Sequence, residues 1–222
     1  MWLHQHPYAP WIPKNATRLL VGTLPPPRFS LGQLKTGDVN FCYGSSDGLL
    51  WKIFDVLFDL QLDYADTPKA VAQRKAFLTQ QRLGICDIVD CCYREKIDAS
   101  DTGMTQVQLR DMFSYFQAHP SLRYLIFTGG NSKNGPEYFF RSYVKAKGIT
   151  FTPTVTTVPR QHQFEFGEKH ITTFSLTAPS GSANRAIGSM PYYKYQKQQN
   201  PSYTTFDFRL EQYAKVLQAT SV

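Results

Sequence analysis

Two carboxylates, Asp87 and Asp90, stand inside the apolar run "LGICDIVDCCY". A carboxylate held in a site can exchange protons, whereas one buried in a strand needs a partner. Asp87 reads as structural, hydrogen-bonded to a neighbouring loop, while Asp90, nearer the end of the run, is better placed to face a site. Asn131 offers a side-chain amide just past "TGG", and His162 in "PRQHQF" is a lone imidazole. His4 and His6 have no partner that the sequence names. Asp47 precedes a helical pattern, and Asp is a favoured N-cap. The cysteines are Cys42, Cys86, Cys91 and Cys92, with no C-x-x-C and two of them adjacent. That spacing suits neither a zinc site nor a disulfide framework, so they read as reduced and structural, and no metal or cofactor is expected.

The elements that must position these groups follow from apolar periodicity. "RLLVG" and "RYLIFT" read as strands that end in glycine, and "LGICDIVDCCY" as a third. "TVTTV" and "HITTFSL" are two late strands. Helices are expected from Asp47-Gly48 through Phe58, from Thr67-Pro68 to about Arg82, over Thr105–Ala118, and from Gly135-Pro136 to Lys147. A closing helix spans about 206–218, and residues 194–205 read as a short polar linker. Strands alternating with helices imply a mostly parallel sheet covered on both faces. In such sheets ligands bind beyond the carboxyl ends of the strands. Here those ends are "GTLPPP", "DIVDCC", "TGGNSKNG" and "TAPSGSANR", all rich in Gly, Pro, Ser, Asn or Cys. "TGGNSKNG" lacks the Gly-Lys-Ser/Thr ending of a Walker loop, and no G-x-G-x-x-G follows a strand.

The 222 residues suit one domain, expected over 1–222. With 24 Lys+Arg against 17 Asp+Glu, the formal net charge of +7 favours a polyanionic partner. No apolar run approaches a membrane span and the start lacks a signal-peptide pattern, so a cytoplasmic monomer that does not use a membrane is expected.

Taken in order, five segments resemble the motifs of the uracil-DNA glycosylase superfamily: "HPYAPWIPKNATRLLVGTLPPP", "NFCYGSSDGLLWKIF", "LGICDIVDCCYREKIDASD", "LIFTGGNS" and "LTAPSGSANRA". They span residues 6 to about 188 and are most similar to the hypoxanthine-type, mismatch-specific branch. The resemblance implies a three-layer α/β/α sandwich around a central, mostly parallel four-stranded sheet. It also implies metal-free excision of a flipped base from DNA, by hydrolysis of the N-glycosidic bond. Such a site needs a carboxylate or amide near the sugar, donors toward the base and an aromatic to stack on it.

The same resemblance implies roles for particular residues. Gly22 and Thr23 would present backbone amides to the base. Phe41 or Tyr43 would stack on it, with Phe41 preferred, and Asn40 and Asn131 are polar pocket candidates. Leu24 stands where many members carry Asp or Asn, so the catalytic group moves to Asp47, which as an N-cap would instead serve the helix alone. In the last motif Ala178 replaces the usual His or Asn. Pro179, Ser180, Gly181, Ser182 and Arg185 would form the loop that enters DNA. The leading expectation is a monofunctional DNA glycosylase acting on uracil, hypoxanthine or a similar deaminated or mismatched base. The alternatives are a weak or inactive nucleic-acid-binding member of the fold and an enzyme acting on free nucleotides.

Overall fold

The structure is a computed structural model that describes residues 1–98, 100–130 and 132–220. Its strands are β1 (Trp2–Gln5), β2 (Arg18–Gly22), β3 (Leu83–Asp87), β4 (Val89–Arg94), β5 (Thr105–Leu109), β6 (Tyr124–Phe127), β7 (Thr152–Val155), β8 (Arg160–Phe166) and β9 (Lys169–Ser175). Its helices are α1 (Pro27–Ser30), α2 (Leu50–Phe58), α3 (Pro68–Gln80), α4 (Met112–Ala118), α5 (Pro136–Ala146), α6 (Asn184–Ser189), α7 (Pro191–Gln199) and α8 (Thr205–Ala219).

The main sheet has the order β3-β2-β6-β9-β8-β7. β3, β2, β6 and β9 run parallel, and β8 and β7 continue the sheet antiparallel. The expected four-stranded sheet is therefore the parallel part of a six-stranded one. The missed strand is β8, whose polar "RQHQFEF" conceals alternate burial of His162 and Phe164. A second sheet, β1-β4-β5, is antiparallel.

Side chains alternate across a strand, and this alternation splits the core in two. Leu20 and Ile126 face Trp51, Phe54, Phe77 and Val216 from α2, α3 and α8. Leu19, Val21, Leu125 and Phe127 face Met112, Phe116, Phe140 and Val144 from α4 and α5. The sheet is thus the middle of three layers. Each fully buried Leu, Ile or Phe contributes about 1.5–3 kcal/mol, so the strand ends that carry the polar loops are anchored by the best-packed part of the molecule.

Three sequence expectations change. "LGICDIVDCCY" is two strands in different sheets, because Ile88 donates its N–H to Gly22 and the chain leaves the main sheet there. The helix expected over Thr105–Ala118 is β5 followed by α4, which Asp111 caps through the Phe113 N–H at 3.2 Å. The supposed linker at 194–205 overlaps α7, whose Tyr193 packs on Tyr203 and Phe208. Among the described residues no helix is long and apolar enough to cross a membrane.

Candidate functional site

The carboxyl ends of β2, β3, β6 and β9 open into a cleft of about 700 Å³. One wall is the stretch from Thr23 to Phe29, and another is the loop of Tyr43 to Gly48. The segment Ala178–Ser182 closes a third side, and Ser100–Thr102 with Ser132 and Lys133 a fourth.

The long loop after β2 is held by Asp38. This buried carboxylate accepts from Arg28 Nε at 2.7 Å and Nη2 at 2.9 Å, from the Lys35 amide at 2.9 Å and from the Ser46 amide at 2.7 Å. Burial pushes its pKa up, but the Arg28 guanidinium and the two amides more than reverse that and hold it well below the usual carboxylate range. Asp38 therefore stays ionised and fixes Arg28 at the cleft wall. Arg28 in turn lies 3.2 Å from Asp47, with Lys35 Nζ at 3.6 Å.

Asp47 does not cap α2. The N-cap is Leu49, with no side-chain capping bond, and the Asp47 carboxylate is 66 % exposed on the rim. The capping role is thus removed, and what remains is an exposed carboxylate between two cations at the cleft mouth.

Gly22 lies under the floor of the cleft. A Cβ there would overlap both Tyr43 Oη and Asp87 Oδ1, so only glycine lets the ring and the carboxylate approach this backbone together. Tyr43 turns inward on a positive φ of 56°, and a 2.7 Å hydrogen bond joins its Oη to Thr128 Oγ1. Burial and the charge of Asp87 push the Tyr43 phenol well above its ordinary value, so it stays protonated.

Asp87, read from sequence as structural, lines the cleft, whereas Asp90 lies outside it with Arg110 Nε at 3.6 Å. The order is reversed because the chain turns at Ile88 into the other sheet and carries Asp90 away. The partner of Asp87 is His6, whose Nε2 lies 2.7 Å from Oδ2. His6 Nδ1 accepts the Tyr8 N–H at 3.0 Å, so Nε2 carries the proton and donates it to Asp87.

A third acidic group, Asp101, was not singled out from sequence. It lines the cleft and takes a hydrogen bond from the Thr23 side chain. Burial raises its pKa to about 6, with Asp87 adding to the rise and Arg94 opposing it. The only sequence signal was its place after the "DIVDCC" strand end, eight residues beyond Tyr93, with no periodicity to mark it.

The last loop is fastened from behind. Buried Arg209 donates to the carbonyls of Ala178 at 3.0 Å and Ser180 at 2.7 Å, and to Asn184 Oδ1 at 2.9 Å. Gln212 accepts the Thr177 N–H, and Leu49 N–H reaches the Pro179 carbonyl at 2.8 Å. The Asp47 loop and the Ser180 loop are thereby joined into one rim.

Of the candidate residues the structure brings together Thr23, Tyr43, Asp47, Pro179, Ser180, Gly181 and Ser182, with Gly22 beneath them and the non-polar Leu24 and Ala178 beside them. It does not bring in the others. Phe41 is buried in the core, 6.2 Å from Trp51, so of the two candidate stacking rings only Tyr43 lines the cleft. Asn40 is on the surface, where its Oδ1 accepts from Tyr8 Oη at 2.8 Å. Arg185 is exposed on α6 beyond the loop, and Asn131 lies outside the described residues. His162 is buried against Phe151 and Arg141, away from the cleft.

No protein-family model matches the sequence, and no curated protein does. Among solved structures the chain is similar to a protein from Methanosarcina acetivorans, determined by solution NMR and described provisionally as a uracil DNA glycosylase. The TM-score is 0.53 at 16% identity, over 95% of this chain and 99% of that one. At that identity the likeness is one of fold.

Proposed function

We propose that this chain is a monofunctional DNA glycosylase that flips a deaminated or mismatched base into the cleft and hydrolyses its N-glycosidic bond. The observation that carries this reading is the cleft itself. It is large enough for a nucleotide, and it lies at the carboxyl ends of parallel strands. It sets an exposed carboxylate, Asp47, on the same rim as a hydroxyl-rich loop, Ser180–Ser182. Breaking the bond builds positive charge on the sugar and negative charge on the base. Asp47 would offset the first at the rim, and the protonated Tyr43 and the Thr23 backbone would face the base. The net charge of +7 supplies phosphate affinity, and the Ser180 loop, anchored by Arg209, would enter the helix.

A second reading is favoured by one specific feature. Leu24 and Ala178 both line the cleft and neither can hydrogen-bond through its side chain. A binding protein that keeps the cleft without turnover would look the same at those two positions.

The two readings separate on labelled duplexes holding uracil, hypoxanthine, xanthine or mismatched thymine, incubated at protein excess and then treated with alkali. Scission after alkali with at least one base is expected. Salt-sensitive binding without scission for any base would leave the binding protein. Lys133 also lines the cleft, and borohydride trapping of a covalent adduct would count against the hydrolytic form.

A further inference from the structure

Asp87 and Asp101 share the cleft but not their surroundings. Asp87 has one oxygen tied to the His6 Nε2 proton, and its other oxygen, Oδ1, lies over Gly22. The imidazole fixes the orientation of the Asp87 carboxylate at the end of β3, where the residue lines the cleft. Among the described residues no cation lies within ion-pair distance of Asp101, and Arg94 pairs with Asp98 instead. The hydroxyl of Thr23 bonds it, the charge of Arg94 on β4 favours its ionised form, and the charge of Asp87, which lines the same cleft, opposes it. Arg94 is committed elsewhere, to His4 Nδ1 at 2.8 Å and the Ser100 carbonyl at 2.6 Å. Lys133, from the loop before α5, is the remaining charged group on that side of the cleft. Two carboxyls that share one cleft in unlike surroundings can take unlike roles, one as base and the other as acid.

We propose that these two residues divide the proton transfers of excision: Asp87, oriented by His6, takes the proton of the attacking water, and Asp101, held by Thr23, protonates the departing base. The inference rests on the glycosylase reading above and adds the acid to it. In the step, water oxygen bonds to C1′ of the sugar as the C1′–N bond breaks and its electron pair leaves with the base. One water proton passes to Asp87, the Asp101 proton passes to a base nitrogen or oxygen, and exchange with solvent restores both carboxyls. The products are a free neutral base and an abasic site. His6 is a positioning residue in this scheme, since it acts only through Asp87.

With Asp101 as acid, the wild-type single-turnover rate falls above about pH 6, by about tenfold per unit where protonation limits the step. Asp101→Asn is expected to slow excision and to remove that alkaline fall. A duplex carrying a base that leaves without a proton, 5-fluorouracil beside uracil or xanthine beside hypoxanthine, should regain most of the lost rate in this variant. An unchanged pH profile in Asp101→Asn, or equal slowing for both bases of a pair, would overturn the assignment while leaving the glycosylase reading intact. No release by wild-type protein at pH 5 would overturn both. A carboxyl-carbon NMR titration of the free wild-type protein reads the acid without any substrate. A midpoint for Asp101 near pH 6 supports the scheme, and one near the ordinary Asp value overturns it.

Discussion

His6 Nε2 lies 2.7 Å from Asp87 Oδ2, and the two residues are 81 positions apart. The contact fastens the N-terminal stretch to the end of β3, and the other Asp87 oxygen lies against the Gly22 backbone. Replacing His6 with Ala would strand a buried carboxylate oxygen. Loss of one partner of a buried hydrogen bond costs about 1–3 kcal/mol. His6→Ala is therefore expected to lower the unfolding free energy read from urea titration by that much and to reduce base release. His6→Gln, whose amide can donate to Asp87, should recover most of the stability. Equal stability in all three proteins would show that the pair contributes nothing to the fold.

Asp47 separates chemistry from stability. Its side chain is largely exposed and caps no helix, so Asp47→Asn should leave the melting temperature unchanged. If its charge offsets that of the sugar, the single-turnover rate should drop by about 10²-fold, the range of one positioned charged group. Wild-type rates in both Asp47→Asn and Asp47→Ala would remove Asp47 from the mechanism.

Arg209 tests the loop. It is fully buried and satisfies two carbonyls of the 178–180 segment. Arg209→Met would fill the space without the donors, at a cost of about 3 kcal/mol or more. Hydrogen exchange should rise in residues 177–184 before it rises in β2 or β6, and duplex affinity should weaken. Uniform exchange changes across the sheet would mean that Arg209 supports the core rather than the loop.

His4 sets an acid dependence of stability. Burial first, then the charges of Arg94 and His6, lower its pKa to about 4 from 6.5. The unfolded chain then binds the extra proton at the higher pH. The stability associated with neutral His4 is present above about pH 6.5 and is lost as pH falls toward 4, up to about 3 kcal/mol. Asp101 acts in the opposite sense, because its folded pKa is raised. Its contribution is present below about 3.8 and is lost as pH rises through about 6. The difference between wild-type protein and His4→Gln isolates the histidine, and it should shrink between pH 7 and pH 4.5. A constant difference would contradict a buried neutral His4.

Much of the frame was legible because it is local. β2 and β6 are short apolar runs ended by glycine or a glycine pair, and α3 opens with Thr67-Pro68, whose hydroxyl caps Ala70 N–H at 3.2 Å. Thr105–Ala118 misled because Val107, Leu109, Met112, Phe113 and Phe116 fit a helical face, while pairing with β4 decides the first half. The rim residues Thr23, Asp47 and Ser180 were legible as strand-end loops. Phe41 and Tyr43 could not be told apart, since the positive φ at Tyr43 and the packing of Phe41 on Trp51 are tertiary outcomes. His6 and Asp101 were silent for the same reason. Each acquires its meaning from a partner in another element, Asp87 in one case and Thr23 in the other.

Ala178 tests most directly whether this cleft excises bases. It lines the cleft on the segment that Arg209 fastens, and Ala178→Phe would fill the space a flipped base needs. Free base released per protein in a single turnover should be measured for both proteins on the duplex that wild type cuts. Near-stoichiometric release by wild type, and none by Ala178→Phe at an unchanged melting temperature, is the expected result. No release by wild-type protein from any damaged duplex, or equal release by both proteins, would contradict excision in this cleft.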